Sequence, residues 1–235
     1  MRTLFFVDDL PTEVGSTYIF DNEDAIHASR VLRIEVGDSF LLSNGAGAWS
    51  QVEARIVGKK SMEVEVLVTG VQDPLPVHFT VVQAVTKGER LKECIELLTE
   101  GGADQIVMWN ALRSIGKGSD KLHITAREAS KQSRRFYIPK IIDSFQTTEV
   151  AQLIKESDLA LVFHENAVIK ISEISKIETR NVLLIIGPEG GITDKELEIF
   201  TEAGAKVVHL GRPILRSAHA GLAALASVNT ALKVW

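Results

Sequence analysis

Two glycine-containing segments in the second half of the chain have the composition of ligand-binding loops. Residues 187–191, with the sequence Gly-Pro-Glu-Gly-Gly, follow the apolar run 182–186. Residues 211–216 follow the Val-Val-His-Leu at 207–210. Glycine lets a ligand come close to the backbone, whose N–H and C=O groups can then bind an adenine or a carboxylate. If both runs are parallel strands, both loops lie at the carboxyl edge of one sheet, where α/β proteins place their ligand crevice.

These loops fit a nucleotide-like ligand other than NAD or ATP. The chain has no G-x-x-x-x-G-K-[ST] sequence, and no G-x-G-x-x-G follows a predicted strand. Each loop taken alone is equally typical of a tight strand-to-helix turn, so the ligand assignment depends on the two occurring together.

A basic segment stands out in an otherwise acidic chain. The chain has 26 Lys and Arg against 31 Asp and Glu, a net charge of −5, whereas residues 113–140 contain eight basic and only two acidic side chains. Helical spacing over residues 123–135 predicts that four of the bases line one helix face. Such a face is typical of proteins that contact phosphate groups. The alternative interpretation is a basic helix face that contacts only solvent. With one base of the N-terminal region, the residues predicted to contact the phosphates of a nucleic acid are Arg33, Arg113, Arg127, Lys131, Arg134 and Arg135.

The elements that would position these residues divide the chain near residue 72. Before it, alternating runs at 39–42, 51–57 and 61–68 predict strands, with a turn at 44–47 and one short helix at 22–32. This pattern predicts a small barrel, and two prolines at 73–76 predict a linker. After the linker, strands are predicted at 79–85, 105–109, 159–164, 181–186 and 206–210. Helices are predicted at 89–100, 123–135, 193–203 and 217–235, and a further helix begins near residue 148. Apolar strands that alternate with helices predict an α/β fold with a parallel sheet covered on both faces.

Composition excludes several classes of protein. Apolar residues make up 45% and charged residues 24%, which is typical of a globular protein. The single cysteine, Cys94, excludes an intrachain disulfide framework and a cysteine-rich zinc site, and the six histidines form no i, i+4 pair, so no metal site is predicted. The apolar run 4–7 is too short for a signal peptide, and no segment has the roughly 20 apolar residues that cross a bilayer. We therefore expect a cytoplasmic protein that does not enter a membrane.

Five motifs, in this order, resemble those of one known family. They are Val31-Leu32-Arg33, the Lys-Gly-Glu-Arg at 87–90, the Arg-Glu-Ala-Ser-Lys-Gln-Ser at 127–133, the Ile-Gly-Pro-Glu-Gly-Gly at 186–191, and the Leu-Gly and Ile-Leu-Arg within 210–216. The chain resembles, over nearly its whole length, the bacterial 16S ribosomal RNA uracil-N3 methyltransferases, members of the SPOUT class. The last motif departs from the family pattern at Pro213 and at Ser217-Ala218-His219.

The resemblance implies a methyltransferase that uses S-adenosylmethionine to methylate N3 of a specific uridine in 16S rRNA of the small ribosomal subunit. It implies a PUA-like, RNA-binding β-barrel for residues 1–72, and for residues 73–235 a SPOUT domain with a deep trefoil knot, the cofactor site and a homodimer interface. The cofactor-binding residues that it implies are Phe163, His164, Glu165, Gly187, Glu189, Gly190, Gly191, Leu210, Gly211, Ile214 and Leu215.

Three side chains are candidates for the chemistry of this transfer, because uracil N3 must lose its proton before it can accept a methyl group. Arg216 could stabilise the anion or bind a phosphate, Glu189 could accept a proton, and His219 could act as a base near neutral pH. Each has a structural alternative: a salt bridge for Arg216, a helix cap for Glu189, and a packing role for His219. Positioning of the reactants alone could supply much of the rate.

Three other functions stay open on the sequence. The first is a SPOUT methyltransferase with another RNA target, such as a ribose 2′-hydroxyl or a different base. The second is a non-catalytic RNA-binding or ribosome-assembly protein that kept the fold. The third is an unrelated α/β enzyme with a nucleotide in its crevice.

Overall fold

The computed structural model describes residues 3–116, 119, 121–174 and 179–235. The chain forms two compact units, one of Met1–Pro74 with Ser130–Ile138 and one of Leu75–Ala129 with Pro139–Trp235. The segment predicted as a linker contains the first boundary. The sequence did not indicate that residues 130–138 return to the first unit. Two residues of the basic segment, Lys117 and Asp120, lie outside the described residues.

The first unit is built on a five-stranded sheet in the order β1-β3-β4-β5-β2. All neighbouring strands are antiparallel except β1 and β3, which are parallel. The strands are β1 (Leu4–Phe6), β2 (Thr17–Phe20), β3 (Ser39–Ser43), β4 (Ala48–Val57) and β5 (Met62–Val71). The three strands predicted by alternation are confirmed, whereas β1 and β2 were missed because three or four residues are too few to display a period.

Three phenylalanines form the centre of this unit. The ring centroids of Phe5, Phe20 and Phe40 lie 5.4–5.8 Å apart, and all three side chains are buried. Aromatic contacts at this separation add to the free energy gained by burying apolar surface. The predicted short helix is confirmed as α1 (Glu23–Arg30), and the side chain of Asn22 caps it by accepting a hydrogen bond from the backbone N–H of Ala25.

The returning segment 130–138 packs on the turn between β3 and β4. The ring of Phe136 stacks on Trp49 with centroids 5.7 Å apart, and the N–H of Ile138 donates to the carbonyl of Gly45 over 2.9 Å. Gly47 has φ of 98°, and a Cβ there would overlap the hydroxyl of Tyr137. The turn therefore needs glycine both for its backbone conformation and for the approach of this segment.

The second unit contains a seven-stranded sheet in the order β10-β12-β9-β11-β6-β7-β8. Every pair of neighbours is parallel, which confirms the predicted α/β fold. The strands are β6 (His78–Ala84), β7 (Gln105–Trp109), β8 (Lys140–Phe145), β9 (Leu159–Phe163), β10 (Ile169–Lys170), β11 (Asn181–Ile186) and β12 (Lys206–His209). Only β8 and β10 were not predicted, because these edge strands are largely exposed and lack a continuous apolar run.

Helices cover both faces of this sheet. Successive residues of a strand point to opposite faces, and Val82 of β6 clusters with Val150 and Phe200, whereas Gln83 donates a hydrogen bond to Ser217. The first face is therefore covered by α4 and α5, and the second by α6, which packs on α2. The helices are α2 (Glu89–Glu100), α3 (Leu122–Ser133), α4 (Thr147–Glu156), α5 (Asp194–Glu202) and α6 (Ser217–Leu232).

The last helix packs closely against its neighbours. A Cβ on Gly221 of α6 would lie 2.6 Å from Cδ2 of Leu98 in α2, so glycine permits this approach. Although α6 is apolar, none of the helices in the described ranges combines the length and hydropathy needed to cross a bilayer.

Cys94 provides a chemical probe of this packing. Its thiol is buried on α2, and burial raises its pKa to about 12. Because the thiolate is the reactive form, a raised pKa slows alkylation in addition to the steric protection. We expect iodoacetamide to modify the native protein at least ~100-fold more slowly than the urea-unfolded protein, as measured by mass spectrometry. Similar rates in the two states would contradict the buried position.

Candidate functional site

Three loops at the carboxyl edge of the parallel sheet surround one cleft. They follow β9, β11 and β12, which are neighbours in the sheet and run in the same direction. The cleft consists of two adjoining cavities of about 240 and 530 Å³, which share the loop after β9 together with Ile214 and Leu215. The larger cavity alone falls within the roughly 300–1,000 Å³ typical of small-molecule sites.

The structure brings all the predicted cofactor-binding residues together in this cleft. Both cavities are lined by Phe163, His164 and Glu165 at the end of β9 and by Ile214 and Leu215 before α6. The larger cavity is also lined by Gly187, Glu189, Gly190 and Gly191 after β11, and the smaller one by Leu210 and Gly211 after β12. The lining also includes Asn166 and Ala220, which no sequence motif singled out.

A buried chain of hydrogen bonds holds the glycine loop after β11. The Oγ of Ser217 donates to the carbonyl of Gly187 over 2.6 Å and accepts from Nε2 of Gln83 over 2.9 Å. Gln83 is fully buried in β6, so the loop is tied through the start of α6 to the middle of the sheet. Sequence reasoning missed Gln83, whose only signal was one polar residue within an apolar strand.

Arg113 lies in the wall of the larger cavity. Its Nη1 donates to the carbonyl of Gly190 over 3.0 Å, and a Cβ on Gly190 would lie 3.0 Å from Cβ of Arg113. The turn that carries Arg113 is held by Glu196, whose Oε1 accepts the backbone N–H of Leu112 over 2.8 Å. In the sequence, a threonine at 193 with a glutamate three residues later matches the capping-box pattern, and the structure contains this box at the start of α5.

The three catalytic candidates have different surroundings. Arg216 directly precedes α6, is exposed and lines the larger cavity. Glu189 also lines this cavity. Its Oε1 lies 3.5 Å from Nη1 of Arg90, and the two side chains form an exposed ion pair. His219 does not belong to the described lining of either cavity, and its Nε2 lies 3.2 Å from Oε1 of Glu93 on α2.

The four bases predicted on one helix face do not all lie on one helix. Helix α3 ends one residue before Arg134, whose φ is 56°, so that Arg134 and Arg135 lie beyond the helix. Lys131 forms an ion pair with Asp24, with Nζ and Oδ1 2.7 Å apart and side chains only 11% and 12% exposed. Arg127 belongs to the second compact unit, whereas the other three bases belong to the first. Helical spacing alone cannot indicate where the helix ends or which base a distant carboxylate pairs with.

The end of α3 has a local cause. The N–H of Arg135 donates to the carbonyl of Ser130 over 2.9 Å, and Arg134 has a left-handed backbone, which together are typical of a Schellman ending. Arg134 remains exposed, as does Arg33, which follows α1 with φ of 54°. These two are the exposed members of the predicted RNA-binding set in the first unit.

Comparison with known proteins relates this cleft to one family. The family model for the RNA methyltransferase domain matches residues 73–229. A relative from Mycobacterium tuberculosis, named ribosomal RNA small subunit methyltransferase E, is 34% identical over 244 residues, which cover 99% of this chain and 93% of the relative. A relative of the same name from Bacillus subtilis is 28% identical and covers 92% of this chain and 91% of the relative.

Solved structures agree with this relationship. A protein from Legionella pneumophila, solved in complex with the cofactor SAM, has a TM-score of 0.86 and 25% identity, with 98% of both chains covered. A Neisseria gonorrhoeae structure with a TM-score of 0.87 and 24% identity shows the same fold. The chain therefore belongs to the RNA methyltransferase family. Its relatives of nearly equal length are ribosomal RNA small subunit methyltransferases E, which confirms the family resemblance found in the motifs.

The ion pair between Lys131 and Asp24 should contribute to stability. Lys131→Ala removes a charge-assisted contact of 2.7 Å to a mostly buried carboxylate, so we expect it to lower the free energy of unfolding by about 2 kcal/mol. The exposed Arg134 serves as the control, because Arg134→Ala should change the free energy of unfolding by no more than about 0.5 kcal/mol. Urea denaturation measures both values, and an equally small change in the two variants would show that the pair is not a stabilising contact.

Proposed function

We propose that this protein transfers a methyl group from S-adenosylmethionine to N3 of a specific uridine in 16S rRNA of the small ribosomal subunit. The observation that carries the proposal is the cleft at the carboxyl edge of the sheet, because it gathers every residue that the family resemblance implies for the cofactor. Two similarities support it: the full-length relatives are named for methylation of small-subunit ribosomal RNA, and the Legionella protein has bound SAM.

The chemistry of the cleft fits this cofactor. The glycine loop after β11 exposes backbone N–H and C=O groups, and a side chain at Gly190 would meet Arg113. The carboxylates of Glu165 and Glu189 line the larger cavity and suit a ligand with sulfonium and ammonium groups. The apolar side chains of the same lining, such as Phe163, suit the adenine ring.

When bound, S-adenosylmethionine supplies an electrophilic methyl group. The residues of the chain must orient the uracil and stabilise the anion that forms when N3 loses its proton. Arg216 is our candidate for this stabilisation, because it lines the larger cavity. Glu189 is a less favoured proton acceptor, since Arg90 already pairs with it, and His219 is less favoured still, because Glu93 pairs with it outside the lining.

We propose that the second unit carries a deep trefoil knot. Strand β12 pairs with β9, and α6 then returns over β11 and β6 rather than continuing beyond the edge of the sheet. This return supports a path in which the last segment passes through the loop formed by earlier strands. Such threading is rare among proteins, and here it would hold the three ligand loops together.

We further propose that residues 1–72 form a PUA-like barrel that binds RNA and that residues 73–235 form the methyltransferase domain. The closely packed five-stranded sheet with α1 supports the first part. The exposed Arg33 and Arg134 are the bases of the first unit best suited to contact phosphate. Lys131 is omitted from this set because it pairs with Asp24.

We propose that the protein is a homodimer that acts in the cytoplasm, where its proposed substrate is made. Residues 217–232 of α6 contain no Asp, Glu, Lys or Arg, yet Leu222, Ala223 and Ala226 are only partly buried. An uncharged, partly exposed helix face supports association with a second copy. Light scattering by the purified protein measures the mass directly.

Nucleoside analysis tests the proposed activity. Deletion of the gene should remove 3-methyluridine from 16S rRNA, and expression of the protein should restore it, as measured by mass spectrometry of digested rRNA. Loss of a different modified nucleoside would favour another RNA target. Unchanged nucleosides together with no binding heat from S-adenosylmethionine would favour a non-catalytic RNA-binding protein.

Substitution in the glycine loop tests the cofactor site. Gly191 has φ of 76°, so Gly191→Val forces a branched side chain into the left-handed region and into the cleft wall. This strain costs about 1–2 kcal/mol, and we expect the affinity for S-adenosylmethionine, measured by calorimetry, to fall about 10-fold or more.

Gly204 provides a matched control for this substitution. It has φ of 109° and open space around it, and it follows α5 outside the cleft. Gly204→Val should therefore introduce similar backbone strain and leave the affinity unchanged. If Gly191→Val bound the cofactor as tightly as the control, the loop after β11 would not be part of the site.

A further inference from the structure

The buried carboxylate of Glu196 joins three separate elements. Its Oε2 accepts the backbone N–H of Thr193 over 2.9 Å and the hydroxyl of Thr193 over 2.7 Å, at the start of α5. Its Oε1 accepts the N–H of Leu112 over 2.8 Å, in the turn after β7, and lies 3.5 Å from the hydroxyl of Thr147 in α4. The residue is only 5% exposed, which is rare for an acidic side chain.

The pattern of donors around Glu196 requires a carboxylate. Each carboxylate oxygen faces at least one backbone N–H, and a backbone N–H can only donate. The hydroxyl of Thr147 already accepts from the indole N–H of Trp109 over 3.2 Å, so it is available as a donor. A glutamine of the same shape would place its NH₂ against a backbone N–H in either orientation and leave a buried donor unpaired.

Helix capping accounts for only half of this arrangement. A capping box requires the bond between the residue at the third helical position and the backbone of the cap, which Oε2 provides. The bond from Oε1 reaches Leu112, which lies 84 residues away in the sequence and belongs to no helix. This second bond fixes the turn that contains Leu112 and the next residue, Arg113.

Arg113 connects this turn to the cleft. Among the described residues, its side chain has one hydrogen-bond partner, the carbonyl of Gly190, to which Nη1 donates over 3.0 Å. A guanidinium has five N–H donors, so four are left for a ligand. Since Arg113 is exposed and lines the larger cavity together with Arg216, a cation is held beside the proposed methyl-transfer site.

We propose that Arg113 binds an anionic oxygen of the target nucleotide and that Glu196 is the positioning residue that holds Arg113 in place for this contact. The proposal rests on the function proposed above and adds a substrate-binding residue to it. The anionic oxygen belongs either to the deprotonated uracil or to an adjacent phosphate, and both offer the acceptor that a guanidinium prefers.

Four variants test this proposal: Arg113→Ala, Glu196→Gln, the double variant, and Glu198→Gln, which changes an exposed carboxylate of the same helix α5. Each is assayed for methylation of small-subunit rRNA and for affinity to S-adenosylmethionine. We expect Arg113→Ala and Glu196→Gln each to lower kcat/KM for RNA by about 10²-fold, with cofactor affinity changed less than about 3-fold and Glu198→Gln equal to the wild type.

The double variant separates a positioning role from a merely structural one. If Glu196 acts through Arg113, the double variant should be no less active than Arg113→Ala alone, because the interaction that Glu196 supports is already absent. Losses that multiply in the double variant would overturn the positioning role. Unchanged activity of Arg113→Ala, whose exposed side chain is not needed for folding, would overturn the whole inference.

Two further measurements identify the source of the oxygen. A nearby cation favours loss of the N3 proton. If Arg113 binds the deprotonated uracil, the methylation rate of Arg113→Ala should therefore begin to increase at a higher pH than the rate of the wild type. If Arg113 binds a phosphate, the pH profile should stay the same. The slope of the logarithm of RNA affinity against the logarithm of salt concentration should then become smaller by about one. The other titratable or charged side chains that line the larger cavity, common to all variants, are His164, Glu165, Glu189, Asp194 and Arg216.

The same assay distinguishes this inference from the proposed function. A wild-type protein that methylates no small-subunit rRNA would overturn the proposed function and this inference with it. An active wild type with an equally active Arg113→Ala would overturn the inference alone.

Discussion

The parallel pairing of the seven-stranded sheet is the constraint on which the proposed site depends. Because β9, β11 and β12 run in the same direction and lie side by side, the loops that follow them must meet at one edge. Within the sheet, β9 and β11 are apolar and almost entirely buried. Glycines, carboxylates and arginines are therefore confined to the loops, where the backbone can approach a ligand without disturbing the core.

Buried polar side chains fix loops that have little regular structure of their own. Gln83 and Ser217 tie the carbonyl of Gly187 to the sheet, and Glu196 ties the turn before Arg113 to α5. A buried polar group costs free energy unless it is hydrogen-bonded, so the bonds that these side chains make favour the native loop conformation over others. Buried hydrogen bonds thus hold both the glycine loop after β11 and the turn that carries Arg113.

Charge in the basic segment is divided between structural and exposed roles. Lys131 is committed to Asp24, whereas Arg134 stays on the surface and Arg113 lines the cleft. A cluster that looks continuous in the sequence therefore contributes to stability, to surface potential and to the proposed substrate site separately. This division matters for RNA recognition, because bases already paired with carboxylates release fewer counterions when RNA binds.

The sequence by itself determined the helix Glu89–Glu100 and the strands Gln105–Trp109 and Asn181–Ile186 to the residue, because their apolar periods and bounding residues are local signals. It also located the glycine loops and the family. Only the tertiary structure decided that residues 130–138 return to the first unit, that Lys131 pairs with Asp24, and that Glu196 holds the turn of Arg113. The physical reason is that a local pattern reports the burial and period of one segment. It does not report which distant group satisfies a buried charge or hydrogen-bond donor.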